Sequence, residues 1–326
     1  MAQRILLVGH GSISRTYIEA LDRLPEVVIA GVVGRSEERA AAFAKLHGIE
    51  VYGTSITEMA HRSAATAAVI CTPNAAHYDH VLESAAAGLH CLCEKPLHIH
   101  PEQQKQMIEA CRSQGVVLTV SYMRRYTEHW QLIKQIMDSG EMGRILSVDA
   151  SIKHYRSSEY YHSWHGTYSE DGGGPFMQQG AHLIDLIQWL CGGYTEVLDA
   201  KTFRLLHSIE TEDHGYAIVK YANGAIGMIQ ASTACTGMAR EKIEISGTAG
   251  SISADFAGIL DCSLPGRAVN TTAQANNPEL FARLCSDFLN ACKTGANPLI
   301  NADSAAITTR LILDIYKAAG IPVQTF

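Results

Sequence analysis

The stretch Arg4-Ile5-Leu6-Leu7-Val8-Gly9-His10-Gly11-Ser12-Ile13-Ser14 decides the fold. Its apolar run reads as a buried parallel strand, and the residues after it open a helix. Gly9 permits a tight turn. Gly11 lets a phosphate group approach the helix N-terminus, where the unpaired N–H groups of Gly11, Ser12 and Ile13 favour negative charge. Strand, Gly-x-Gly and helix start form the context that a dinucleotide fingerprint requires. The third glycine of that fingerprint is Ser14 here, a residue still small enough to keep helix and strand close.

Outward from this motif, short β-branched runs alternate with Ala-rich stretches up to about residue 121, the rhythm of a parallel sheet covered by helices. Six strands are expected: Arg4 to Gly9, Val27 to Val33, Glu50 to Tyr52, Ala67 to Thr72, His90 to Glu94 and Val116 to Tyr122. After Arg125 the pattern gives a helix from Glu128 to Ser139, a strand from Arg144 to Tyr155, an aromatic loop and a helix from Phe176 to Cys191. Strands then follow one another at Lys201 to Leu206, Tyr216 to Tyr221, Ala225 to Thr233, Lys242 to Ser246 and Ser251 to Asp255, with Asn223-Gly224 as a hairpin signal. Helices close the chain at Pro278 to Lys293 and Asp303 to Ala319. The expected architecture is an α/β Rossmann domain with a parallel sheet (1–124) plus a C-terminal α+β domain with a large open, mostly antiparallel sheet (125–326).

At 326 residues the chain exceeds what one hydrophobic core usually fills, in keeping with two domains. Its 33 acids against 26 Lys and Arg give a net charge of -7 with no basic block, which argues against nucleic acid or anionic lipid as partner. The nine cysteines are odd in number and contain no Cys-x-x-Cys pair, so reduced thiols and no metal site are expected. The first apolar run is short and leads into the glycine motif rather than a cleavage-type tail, and no stretch approaches the roughly 20 apolar residues of a spanning helix. A cytoplasmic protein with no membrane association is the expectation.

Where the second strand ends, the acid that would read an NAD ribose is replaced by Gly34-Arg35-Ser36. Arg35 with Ser36 suits a 2'-phosphate, which favours NADP over NAD. Glu37 or Glu38 would reach a ribose hydroxyl one turn later, and a solvated Arg35 beside an N-capping Ser36 fits either cofactor.

The fifth strand ends in Cys93-Glu94-Lys95-Pro96, at the carboxyl edge where open α/β sheets bind ligands. Pro96 biases Lys95 toward an extended backbone, which aims its side chain. A lysine with a pKa near roughly 10.4 is a poor base at neutral pH, but partial burial and a nearby nicotinamide cation would lower it. A second constellation runs from Gly172 to Asp185. Gln178, His182, Asp185 and Trp189 fall on one helical stripe beside the apolar flank Leu183, Leu186, Ile187 and Leu190, and Asp185 could orient His182. Between the two, Tyr155, Tyr160, Tyr161, Trp164 and Tyr168 mix with His162 and His165, a composition suited to stacking on a sugar ring or to a subunit contact.

Taken together, Gly9 to Ser14, Thr72-Pro73-Asn74 with His77, Glu94-Lys95-Pro96 and Gly172 to Asp185 resemble the Gfo/Idh/MocA family over essentially the whole chain. The resemblance implies a nicotinamide-dependent oxidoreductase acting on pyranosides, glycosides, sugar nucleotides or inositols. It assigns Lys95 as proton acceptor and His182 as the group bonding the reacting hydroxyl, with Thr72, Asn74, His77, Glu94 and Arg124 of the Met123-Arg124-Arg125-Tyr126 segment near the cofactor. Gln178 stands where many relatives carry Asp or Asn, so it bonds a sugar hydroxyl without serving as a base. With Tyr155, Trp164 and Asp185 it completes the expected substrate residues. Family analogy also implies a homodimer or homotetramer. Two rivals stay open: an NADPH-dependent keto-sugar reductase, and a cofactor-binding sensor without turnover.

Overall fold

The computed structural model describes residues 2–162, 165–237, 240–267 and 276–322. The chain divides into two compact units, Met1–Met123 with Ala275–Ala306, and Arg124–Gln274 with Ile307–Phe326.

The first unit is built on a six-stranded parallel sheet in the order β3-β2-β1-β4-β5-β6, the doubly wound arrangement with its switch point between β1 and β4. Its strands are β1 (Gln3–Val8), β2 (Val27–Val33), β3 (Val51–Gly53), β4 (Ala67–Ile70), β5 (His90–Cys93) and β6 (Leu118–Val120). Ile5–Val8, Ala67–Ile70 and Cys91–Cys93 are buried, as continuously apolar parallel strands covered on both faces must be. The connecting helices are α1 (Ser12–Leu21), α2 (Glu37–His47), α3 (Ile56–Ser63), α4 (His77–Ala86) and α5 (Pro101–Ser113). Helix α2 shows why they start and stop where they do. Ser36 accepts from Arg39 N, Glu37 and Glu38 fill the first turn, and Gly48 ends the helix at φ +68°.

The second unit holds α6 (Glu128–Asp138), the one-turn α7 (Tyr168–Asp171), α8 (Ala181–Leu190) and a seven-stranded sheet. Its strands are β7 (Ile145–Lys153), β8 (Tyr194–Phe203), β9 (His214–Tyr221), β10 (Ile226–Ser232), β11 (Arg240–Gly247), β12 (Ser251–Asp255) and β13 (Ile259–Cys262), in the order β13-β12-β11-β7-β10-β9-β8. Only β7 and β10 pair in parallel. Strand β9 alternates: Ala217, Val219 and Tyr221 are buried while Tyr216 and Ile218 are exposed, so one face of the sheet forms core with α8 and the other is open. Gly224, at φ +87°, supplies the turn between β9 and β10.

Three expectations need correction. The domain expected to begin at 125 and run to 326 loses 275–306 to the first unit: α9 (Asn277–Thr294) packs on α1 through an edge-on contact of Tyr17 and Phe281 at 4.8 Å, and α10 (Ala302–Ala318) begins there. The helix expected from Phe176 begins at Ala181, because 175–179 form turns closed by Met177 N and Gln178 N on Gly174 O. Strand β13, with no alternation to betray it, was not expected at all.

Candidate functional site

In the first unit the glycine motif adopts the geometry that its sequence requires. Gly9 sits at φ +103°, and a Cβ there would lie 2.8 Å from Cys71 O, so no other residue fits the turn. Gly11 is the N-cap of α1, faces open space and leaves the helix start without a side-chain cap or an acidic residue. The Ser14 hydroxyl donates to Gly9 O at 3.1 Å and closes the turn, which is how serine replaces the third glycine. The backbone N–H groups of this first turn are left for a negatively charged partner. In the turn after β4, the strand paired with β1, Asn74 is buried and its Nδ2 has no hydrogen-bond partner among the described residues. A cradle without room for a Cβ and an orphaned buried amide fit a dinucleotide.

Two of the cofactor candidates have local duties. Arg35 is exposed, and the Ser36 hydroxyl oxygen caps α2 by accepting from Arg39 N, which leaves its O–H proton available as a donor. Thr72 Oγ1 lies 3.0 Å from His80 Nδ1.

The Glu94-Lys95-Pro96 edge is braced from beneath. The Tyr17 hydroxyl, buried on α1, donates to Glu94 Oε1 at 2.8 Å and sits 2.8 Å from Ser121 Oγ, while Glu94 Oε2 accepts Lys95 N at 3.1 Å. Burial, then the Glu94 charge, pushes the Tyr17 phenol well above its ordinary pKa. The Lys95-Pro96 peptide is cis, and Lys95 is half-buried. His77, fully buried, ties this edge to the strand-four loop: Nδ1 is 2.9 Å from Pro96 O and Nε2 is 2.9 Å from Thr72 O. Burial pushes its pKa down against the pull of those two carbonyls. His77 thus supports the loops rather than presenting a free nitrogen.

In the second unit His182 is half-buried in the first turn of α8. Gln178 lies before that helix, so the four-residue stripe expected from the sequence is not one helical face; its amide donates to Asp171 O at 2.7 Å. Asp185 is 1% exposed and belongs to Arg125, Gln188 and Thr308, which removes it from the substrate residues and from His182 orientation. Arg124, expected near the cofactor, is held by Glu241 and lies 4.9 Å from the Phe256 ring centroid, so its charge is compensated within its own unit.

The aromatic segment gathers partly as expected. Tyr160 stacks on His165 at 4.1 Å and 8°, His165 Nδ1 is 3.2 Å from Asp171 Oδ1, and Gln179 Nε2 donates to Tyr160 OH at 3.4 Å. Tyr161 packs edge-on against Tyr160 at 5.0 Å and bridges to the sheet, its ring 4.8 Å from His207 and its hydroxyl on Thr233 Oγ1 at 2.8 Å. Tyr155 is 42% exposed, open to stacking. Trp164 lies outside the described residues.

Sequence reasoning missed Glu212. It is 2% exposed and accepts from Tyr316 OH at 2.8 Å, Gly174 N at 3.2 Å and Phe176 N at 3.5 Å. Burial pushes its pKa up to about 7 against these three donors. The Glu212-Asp213 pair at the head of an apolar strand was the available signal.

The two folds and the phosphate-ready turn define a two-domain dehydrogenase architecture, and comparison with known proteins agrees. Residues 3–122 match the oxidoreductase family with an NAD-binding Rossmann fold, and 130–253 match the GFO/IDH/MocA C-terminal domain. The chain belongs to the Gfo/Idh/MocA family of oxidoreductases. It is 26% identical over 255 residues to the uncharacterized oxidoreductase YrbE of Bacillus subtilis, covering 76% of this chain and 72% of that protein. It is also 24% identical over 259 residues to inositol 2-dehydrogenase of Rhizobium meliloti, covering 78% and 76%. Among solved structures, the WlbA dehydrogenase of Bordetella pertussis in complex with NADH and UDP-GlcNAcA superposes with a TM-score of 0.88 at 27% identity, over 98% of this chain and 97% of that one. Among the described residues, no helix is long and apolar enough to cross a membrane.

Proposed function

We propose that this oxidoreductase moves a hydride between a nicotinamide and a secondary alcohol or ketone of a sugar, with Lys95 as general acid/base and His182 bonding the reacting oxygen. The observation that carries the reading is the uncapped α1 N-terminus at Gly11, beside a Gly9 turn that excludes any side chain. When bound, the cofactor supplies the hydride chemistry. Gly11, Ser12 and Ile13 would hold its pyrophosphate and Asn74 its orphaned amide's partner. Glu94, gripped by Tyr17, fixes the Lys95 backbone so that the side chain, as the neutral amine, takes the hydroxyl proton in alcohol oxidation and, as the ammonium, gives it back in ketone reduction. His182 donates or accepts at the same oxygen, and Gln178 with Tyr155 would orient the ring.

A pyranoside, glycoside, sugar nucleotide or inositol is the substrate class, as supported by relatives named for inositol and by a structural neighbour holding UDP-GlcNAcA. For the cofactor, exposed Arg35 with no carboxylate at the end of β2 favours NADP, whereas the WlbA structure holds NADH. A second copy of the chain is the partner that would cover the open sheet face, where Tyr216, Ile218, Ile226 and Met228 lie exposed.

The test is absorbance at 340 nm with NAD or NADP and a panel of methyl glycosides, inositols and sugar nucleotides. Reduction of either cofactor by one sugar class supports the assignment. Silence with every alcohol but rapid NADPH oxidation by keto-sugars would move it to a reductase, and tight cofactor binding without turnover in either direction would leave only a sensor.

A further inference from the structure

The triple glycine 172–174 leads through a tight turn into α8, whose second residue is His182. What fixes that turn is not the turn itself. A Cβ on Gly174 would lie 2.0 Å from Glu212 O, and one on Gly173, at φ +143°, would lie 2.1 Å from Tyr316 OH. The backbone is therefore pressed against the Glu212 main-chain carbonyl and, at 2.9 Å from the same Gly174 Cβ, its Oε1, and against the Tyr316 phenol, with Tyr316 OH donating to Glu212 Oε1 at 2.8 Å. Both are buried, Glu212 at 2% exposure and Tyr316 at 0%.

From this pair a chain of bonds runs to the helix. Glu212 takes the N–H of Gly174 at 3.2 Å and of Phe176 at 3.5 Å. Gly174 O takes Met177 N and Gln178 N, Pro175 O takes Gly180 N at 2.7 Å, and Gly180 O takes Ile184 N inside α8. Phe176 is clamped as well: its ring is the first thing a Cβ on Gly215 would meet, at 2.4 Å, and it packs edge-on against Tyr316. Burying a carboxyl group costs free energy, and the three donors that offset this cost also tie Glu212 to the 174–176 backbone and to Tyr316.

We propose that Glu212 and Tyr316 are positioning residues for the reaction: the carboxylate and the phenol together set the backbone of 173–180 and thereby the start of α8, where His182 stands. Neither touches substrate. The proposal rests on His182 acting at the reacting oxygen. Displacing a reacting group by about 1 Å can cost on the order of a hundredfold in rate, so loosening this clamp lowers turnover without touching cofactor affinity.

The experiment uses the full chain and three variants, Tyr316→Phe, Glu212→Gln and His182→Ala. Amide hydrogen exchange is followed in the peptide spanning 173–180, and turnover is followed at 340 nm with methyl α-D-glucoside, myo-inositol and UDP-N-acetylglucosamine. Tyr316→Phe keeps the ring and removes one donor. It is expected to speed exchange in 173–180 severalfold while sheet peptides stay protected, and to lower kcat by on the order of tenfold with KM for the cofactor unchanged. Glu212→Gln should move both readouts the same way. Unchanged exchange in both variants, or faster exchange with kcat within about twofold of wild type, overturns the proposal. An unaffected His182→Ala, or a wild type that turns over no sugar, instead brings down the functional reading and the proposal with it.

Discussion

The Arg125 guanidinium and the Asp185 carboxylate form a two-bond ion pair inside the second unit, Nε to Oδ2 at 2.7 Å and Nη2 to Oδ1 at 2.5 Å, with side-chain exposures of 0% and 1%. Thr308 Oγ1 adds a bond to Oδ1 at 2.8 Å, and the guanidinium lies 5.5 Å from the Trp189 ring centroid. The pair fastens the residues entering α6 to the middle of α8.

Breaking it from one side leaves a buried charge alone. Asp185→Ala should lose about 3–5 kcal/mol of unfolding free energy, read by denaturant titration. Arg125→Lys should lose part of that, because an ammonium cannot make both bonds. Replacing both residues by apolar side chains of similar volume should recover most of the loss. Near-wild-type stability for Asp185→Ala would contradict this account of the pair.

Gly9 and Gly11 should separate under the same substitution. Gly9→Ala forces a Cβ against Cys71 O in a left-handed conformation, so the protein should lose on the order of 1–3 kcal/mol together with cofactor affinity. Gly11, with nothing within 4 Å, should accept alanine with stability unchanged, yet bind the cofactor more weakly because the new methyl stands where phosphate approaches. Thermal melts and calorimetric titration with NAD and NADP would show the contrast; equal behaviour of the two variants would undo it.

Acid should destabilise the first unit through His98. The residue is 3% exposed, and its Nδ1 accepts His100 N at 3.1 Å. Burial, then the neighbouring His100 and His77, lowers its pKa from 6.5 to about 4. The folded state therefore binds this proton less well than the unfolded chain does. The stability present above pH 6.5 is lost as pH falls toward about 4, by at most about 3 kcal/mol. Unfolding titrations across this window should slope less steeply for His98→Asn than for wild type; identical slopes would place the acid sensitivity elsewhere.

Much of the fold was legible because local chemistry dictates it. Buried parallel strands such as Ala67–Ile70 are apolar throughout, and Ser36 and Gly48 punctuate α2 in plain sight. The limits came from interactions distant in sequence. Asp185, three residues after His182, reads as its partner, but the guanidinium that claims it is 60 residues upstream. Phe176 reads as helical until Glu212, 36 residues on, is seen to take its N–H. No local pattern announces that 275–306 returns to the first unit, since the contact of Tyr17 with Phe281 spans most of the chain. Most strand edges drifted by a residue or two, but the strand expected from Lys201 to Leu206 begins seven residues earlier, as β8 at Tyr194, and ends at Phe203.

The most direct test of hydride transfer with Lys95 as acid/base is turnover at 340 nm for wild type and Lys95→Ala on the same sugar, with cofactor affinity measured alongside. The account predicts a loss in kcat on the order of a hundredfold or more with the cofactor dissociation constant little changed. Turnover within a few-fold of wild type in Lys95→Ala would contradict it.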